Sequence, residues 1–157
     1  MNDKTKTVCF SGHRVLYDPK QDIEISLENS VRQCIANGAE IFMTGGAIGF
    51  DTLAALTVIR LRREFPQIRL VLALPCPPGE QTLKWTAKQK DEYRVIYESA
   101  DKVNILAKNY TRNCMLDRNK YMVDHSYKLI HYLRFDRGGT KHTVNYAQKQ
   151  GIELIGI

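Results

Sequence analysis

The 157-residue chain is 43% hydrophobic and 25% charged, the composition of one ordinary globular domain, residues 1–157, that buries a core without disulfides or metal. Its 23 basic residues against 17 acidic ones leave a net charge of +6, which favours anionic ligands without forming a long basic run. No apolar stretch approaches the roughly 20 residues that span a bilayer, and Met1-Asn2-Asp3-Lys4 leads straight into a strand-like run, so a cytoplasmic protein with no membrane partner is expected.

The first elements read as strand, helix, strand. Residues 7–11 are an apolar run closed by Gly12, residues 41–44 are another closed by Gly45, and between them Ile23, Leu27, Val31, Cys34 and Ile35 recur at helical spacing up to a stop at Gly38. A second helix is expected from Asp51 to Phe65, ended by Pro66, followed by a buried strand over 68–74 and a proline-rich loop over 75–79. One long helix from about Gln81 to Ser99 comes next, then a strand over 102–106, a loop through Tyr110 and a helix over 115–123. A strand over 127–133, a turn over 137–140, a helix to about Gln150 and a strand over 152–155 complete the chain. Six strands alternating with five helices predict an α/β fold of Rossmann-like, doubly wound form: a mainly parallel sheet with helices on both faces.

Cys9, Cys34, Cys76 and Cys114 form no CxxC and read as structural thiols. The four histidines show no HxxxH or HExxH spacing, so no metal is expected, and no cofactor either.

In open parallel sheets ligands bind beyond the carboxyl ends of the strands, where helix N-termini present free N–H groups. Three glycine-bearing turns fall there: Ser11-Gly12-His13-Arg14 after the first strand, Thr44-Gly45-Gly46-Ala47-Ile48-Gly49-Phe50-Asp51 after the second, and Phe135-Asp136-Arg137-Gly138-Gly139-Thr140 after the fifth. Any one of them reads as an ordinary α/β turn; three at one sheet edge suggest a cradle for an anionic group. Arg14 suits phosphate, His13 reads equally as a contact or a surface turn residue, and Asp51 reads as a cap or as a contact to sugar or base. A nicotinamide enzyme is disfavoured, because Thr44 stands where GxGxxG needs its first glycine and no acid follows about 20 residues on. No GxxxxGK[ST] is present, which removes a P-loop enzyme.

Taken together, residues 8–14, residues 44–55, Arg118-Asn119 with Met122-Val123-Asp124 and Ser126, and Gly138-Gly139-Thr140 with Thr143 and Ala147 resemble the YpsA-like family of the SLOG superfamily. That Rossmann-like group also holds the DprA/Smf proteins and the LOG phosphoribohydrolases. The resemblance covers nearly the whole chain and implies a site for a nucleotide or nucleotide-derived ligand, with a sensing or binding role in many members. It carries Gly12, Arg14, Gly45, Gly46, Gly49, Asp51, Arg118, Asn119, Gly138, Gly139 and Thr140 onto the ligand side. Gln81 and Trp85 resemble a segment that closes over a base, although Trp85 also fits a core aromatic. Two departures stand out: Thr143 occupies the position of the LOG catalytic glutamate, and Ile48 replaces an arginine of the DprA-like turn.

The leading expectation is a binding or sensing module for a nucleotide-like small molecule. The alternative is a nucleotide-processing hydrolase, phosphoribohydrolase-like, with Asp51 and Asp124 as the weak catalytic candidates and Asp136 as a further carboxylate at a strand end. Single-stranded nucleic acid is a third and less favoured partner, motivated by the charge and by Arg60, Arg62 and Arg63 on one helix. The eight tyrosines leave a homodimer open.

Overall fold

The computed structural model describes residues 3–157. Six strands form a single all-parallel sheet in the order β4-β3-β2-β1-β5-β6. They are β1 (Thr7–Gly12), β2 (Ile41–Thr44), β3 (Arg69–Leu74), β4 (Lys102–Ile105), β5 (Lys128–Tyr132) and β6 (Glu153–Gly156). Helices α1 (Lys20–Ala36), α2 (Phe50–Leu61), α3 (Pro78–Gln81), α4 (Ala87–Ser99), α5 (Cys114–Asp124) and α6 (Gly139–Gln150) make the crossovers. The chain winds outward from β1 to β4, returns through α5, and adds β5 and β6 on the other side of β1. This reversal opens a crevice at the carboxyl ends of β1 and β5, the place where doubly wound sheets hold ligands.

Alternate side chains of each strand point to opposite faces, and the sequence fills both. Val8 and Phe10 of β1, Phe42 of β2, Leu70, Leu72 and Leu74 of β3, and Ile130 and Tyr132 of β5 pack under α1, α2 and α4. Cys9, Met43, Val71, Ala73 and Leu129 face Met122 and Val123 of α5 and Val144 and Ala147 of α6. Phe50, at the start of α2, stacks on Tyr132 with ring centroids 5.6 Å apart and meets Phe10 edge-on at 6.4 Å. Truncating such a fully buried ring costs about 3–5 kcal/mol, so this cluster fixes where α2 begins above the sheet edge.

The expected long helix over 81–99 is two helices. The chain leaves α3 after Gln81, and α4 restarts at Ala87 under a capping box: the Thr86 hydroxyl accepts from the Gln89 N–H, and the Gln89 side chain accepts from the Thr86 N–H. The local competition is won by the cap, which satisfies two end groups that a continuous helix would leave to its own ladder. The second helix likewise stops at Leu61, four residues before the expected Phe65. All four cysteines are free and buried, and burial pushes the Cys9 thiol up to about 12. Among the described residues no helix is long and apolar enough to cross a membrane.

Candidate functional site

A cavity of about 250 Å³ lies in the crevice. Its walls are the turn after β1 (Phe10, Ser11, Gly12, His13, Arg14), the first turn of α2 with its lead-in (Ala47, Asp51), the first turns of α5 (Met115, Arg118, Asn119) and of α6 (Gly139, Thr140). The N-terminal ends of three helices therefore meet at one hollow. None of α2, α5 or α6 has a side-chain cap; the first N–H groups of α2 and α5 go to the carbonyls of His13 and Thr111, and the positive ends of the three helix dipoles remain uncompensated by a side chain.

The turn before α2 is built on glycine geometry. Gly49 has φ +77° and its Cα lies against the backbone of His13 and Arg14, where any Cβ would collide with the Arg14 carbonyl. The Phe50 N–H donates to the His13 carbonyl at 3.1 Å, which locks the β1 turn to the α2 turn. Gly46, at φ +71°, leaves its carbonyl to accept from Gln81 Nε2 at 3.3 Å.

Two arginines serve this hollow differently. Arg118 is buried and largely spent on the protein itself: Nη1 donates to the carbonyls of Gly45 and Ala73, Nε donates to Asn119 Oδ1 at 2.9 Å, and Nη2 lies 3.6 Å from the Met115 sulfur. Its burial lowers its pKa, which the Asp51 charge opposes. Arg14 has no hydrogen-bond or ion-pair partner among the described residues, so it is the free cation of the cavity. Asp51 accepts from the Ala47 N–H at 3.2 Å, and burial pushes its carboxyl up to about 6 against the pull of Arg118, the Ala47 N–H and Arg14. His13 accepts from the Arg134 N–H at Nε2 (2.8 Å); burial, and then the Arg134 charge, hold its pKa below the usual value.

Of the residues singled out in the sequence, Ser11, Gly12, His13, Arg14, Asp51, Arg118, Asn119, Gly139 and Thr140 line this cavity. Thr44, Gly45, Gly46, Gly49 and Gly138 stand behind it and shape the turns; Thr44 is fully buried with its hydroxyl unpartnered. Gln81 and Trp85 line a neighbouring cavity instead. Asp124 is not at the site: α5 ends with it, so it sits at the amino end of β5, hydrogen-bonded by the Tyr146 hydroxyl at 2.7 Å. Asp136 faces solvent in an ion pair with Lys141 at 3.0 Å. The arginine trio is also placed elsewhere, at and beyond the C-terminal end of α2, with Arg60 held by Glu28 and Arg62 held by Asp101. Sequence reasoning missed Phe10, Ala47 and Met115 as cavity walls. Phe10 and Ala47 carried a signal, since each adjoins a residue already chosen, and Met115 stands one helical turn before Arg118.

The fold and the cavity together define a Rossmann-like α/β protein with an electropositive hollow at the carboxyl edge of its sheet. The chain belongs to the YspA SLOG family, whose YpsA model matches residues 17–153. It is 32% identical over 120 residues to the uncharacterized SPbeta prophage-derived protein YoqJ of Bacillus subtilis (strain 168), covering 69% of each chain. Among solved structures it is similar to DNA processing protein A from Helicobacter pylori, described for its single-stranded DNA binding mode, with TM-score 0.67 and 18% identity over 99% of this chain and 66% of that one. It is also similar to DNA processing protein A from Streptococcus pneumoniae, with TM-score 0.70 and 18% identity over 98% of this chain and 50% of that one. The chain thus spans half to two thirds of those two proteins, and the likeness is one of fold.

Proposed function

We propose that this protein binds a phosphorylated, nucleotide-like small molecule in the cavity between β1 and β5, as a binding or sensing module. The observation that carries the reading is the convergence of three helix N-termini without side-chain caps around Arg14, which has no partner among the described residues. Each helix end contributes about 0.3–2 kcal/mol to an anion, so only several together give useful affinity. The guanidinium adds charge-assisted hydrogen bonds to phosphate oxygens. Arg118 acts here as a clamp that holds α5 to the turn after β2 and to the end of β3, and lends its charge to the cavity it lines.

The test is calorimetric titration and thermal shift with inorganic phosphate, ribose 5-phosphate and the nucleoside monophosphates, on the wild type and on Arg14→Ala. Binding that stabilises the wild type and is weakened at least about tenfold in Arg14→Ala supports the reading. No stabilisation by any of these, or the same stabilisation in both proteins, defeats it. An oligodeoxynucleotide belongs in the series because the Helicobacter pylori neighbour is described with a single-stranded DNA binding mode. Oligonucleotide binding far tighter than any mononucleotide, with a log–log salt slope of about 0.7 per phosphate neutralised, redirects the reading to a polymer.

One observation favours a hydrolytic reading as well: Asp51 is a buried carboxyl in the cavity, raised to about 6, where a group can give and take protons near neutrality. Turnover of a nucleoside monophosphate that disappears in Asp51→Asn is the result that promotes it.

A further inference from the structure

Besides the cavity at the strand ends and the one beside Trp85, a third cavity of about 240 Å³ lies where the turn after β1 meets the starts of α1, α2 and α4. Arg14, Lys20 and Lys88 line it from three separate segments of the chain. None of the three has a hydrogen-bond or ion-pair partner among the described residues. The arginines farther along α1 and α2 are paired: Arg32 with Glu28 and Glu64, and Arg60 with Glu28.

One carboxylate, Glu92, shares this cavity and likewise has no partner among the described residues, so the lining carries three positive charges against one negative. Gln89 Oε1 accepts from the Thr86 N–H at 2.9 Å, which leaves the amide N–H groups of the same side chain free to donate. Like charges gathered from three segments repel one another, and a bound anion removes that cost. Arg14 also lines the first cavity. The contact of Gly49 with the backbone of His13 and Arg14 stands between the two: Ala47 and Asp51 line the first, and Ile48, Thr52 and Leu53 line the third.

We propose that the third cavity takes a second, separate phosphate of the same ligand, held by Lys20 and Lys88, with Arg14 bridging the two phosphate groups. The proposal rests on the anion-site reading of the first cavity. The ligand class is then a nucleoside or sugar that carries phosphates on two different carbons. A guanidinium has five donors, enough to serve both groups at once. The intervening turn excludes a diphosphate: its two phosphorus atoms share one oxygen, too short a link to pass over a stretch of backbone, whereas phosphates on opposite ends of a ribose stand farther apart. Lys20 and Lys88 are exposed, so each ion pair is screened and weak alone. Their effect comes from acting together with Arg14.

The full chain is titrated by calorimetry at low ionic strength with ribose 5-phosphate, ribose 1,5-bisphosphate, AMP, ADP and adenosine 3′,5′-bisphosphate. Each bisphosphate binds about tenfold more tightly than its parent monophosphate, the sum of a few screened ion pairs, and ADP gains much less over AMP. The gain shrinks as salt is added. Lys20→Ala combined with Lys88→Ala, two exposed side chains without partners among the described residues, abolishes the gain and leaves ribose 5-phosphate and AMP within about twofold of wild type. Glu92→Gln removes the opposing charge and widens the gain by about threefold. Bisphosphates that bind no better than their parents, a gain that survives in the double lysine variant or fails to widen in Glu92→Gln, or ADP equal to adenosine 3′,5′-bisphosphate overturns the proposal. So does an oligothymidylate that binds far more tightly than either bisphosphate, which assigns the lysines to a nucleic-acid strand. If none of the five ligands binds, the first-cavity reading falls and this inference falls with it; binding of the monophosphates with no gain from a second phosphate removes the inference alone.

Discussion

The guanidinium of Arg118, from α5, fills the space that a side chain at Gly45 would occupy. A Cβ there would lie on its Nη1 and Cζ atoms, and the same Nη1 donates to the Gly45 carbonyl. The absence of one methyl group at the end of β2 is therefore what lets a buried cation from α5 tie two crossovers together. Gly45→Ala is expected to destabilise the protein by about 1–3 kcal/mol, the usual cost of forcing extra carbon into a packed site. In an Arg118→Ala background the group it strikes is gone, so the same substitution costs much less. Urea unfolding of the four proteins of this double-mutant cycle measures the coupling; strictly additive effects would show that the two positions do not communicate.

Asp51 gives the site a pH dependence with a definite sign. Its carboxyl rises from the ordinary 3.8 to about 6, because burial outweighs the attraction of Arg118. Between these values the folded protein holds a proton that the unfolded chain has released, so this group's contribution is present at low pH and is lost as pH rises through about 6. The shift corresponds to roughly 3 kcal/mol. Asp18, Glu28 and Glu64, held low chiefly by hydrogen bonds, act in the opposite sense, so the wild-type curve alone does not isolate Asp51. The difference between wild type and Asp51→Asn does. Its unfolding free energy should fall between pH 4 and 6.5, and a flat difference would contradict the assignment. A phosphate beside Asp51 raises the carboxyl further, so affinity should increase as pH drops through 6 in the wild type more than in Asp51→Asn, a comparison that cancels the phosphate's own titration.

His13 joins the turns after β1 and β5 by accepting the Arg134 N–H at Nε2. A backbone N–H can only donate, so the bond needs the neutral ring with its proton on Nδ1. Burial, and then the charge of Arg134, lower the pKa from the ordinary 6.5. The unfolded chain therefore takes up this proton first as pH falls, and the stability His13 lends is present above 6.5 and lost as pH drops through the folded-state value. An NMR titration of the His13 ring should give a midpoint below 6.5, with the Arg134 amide resonance shifting in the same step. A midpoint above 6.5 would rule out the neutral, acceptor role.

The architecture was legible because the chain alternates apolar β runs with helical spacing, and each strand needed only its own segment to be recognised. The break between α3 and α4 was written as Thr86-x-x-Gln89, a capping box, but apolar spacing from Gln81 to Ser99 hid it. The division of labour between Arg14 and Arg118 was not legible at all. Both are arginines beside predicted turns, and only the folded contacts show that one is consumed by carbonyls of β2 and β3 while the other is free. Asp124 was misplaced for a simpler reason: it precedes β5 in the chain, and in a parallel sheet a residue leading into a strand lies at the end opposite the site.

The glycines differ in what they permit as probes. Gly46 does not line the cavity, and its φ of +71° makes any side chain there a source of strain, so loss of binding in a Gly46 variant would be hard to separate from damage to the turn. Gly139 is the cleaner position. It lines the cavity, opens α6 with no left-handed backbone, and a Cβ added to it meets nothing within 4 Å. Leucine also has the better helix propensity by up to about 1 kcal/mol, so Gly139→Leu should leave the ligand-free melting temperature equal to or slightly above that of the wild type. The added side chain stands at the cavity wall beside the N–H groups of α6. Ribose 5-phosphate at a hundred times its Kd adds about 2.7 kcal/mol to the wild type, and most of that increment should vanish in the variant. Full retention of the increment would mean that the α6 end takes no part in holding the anion.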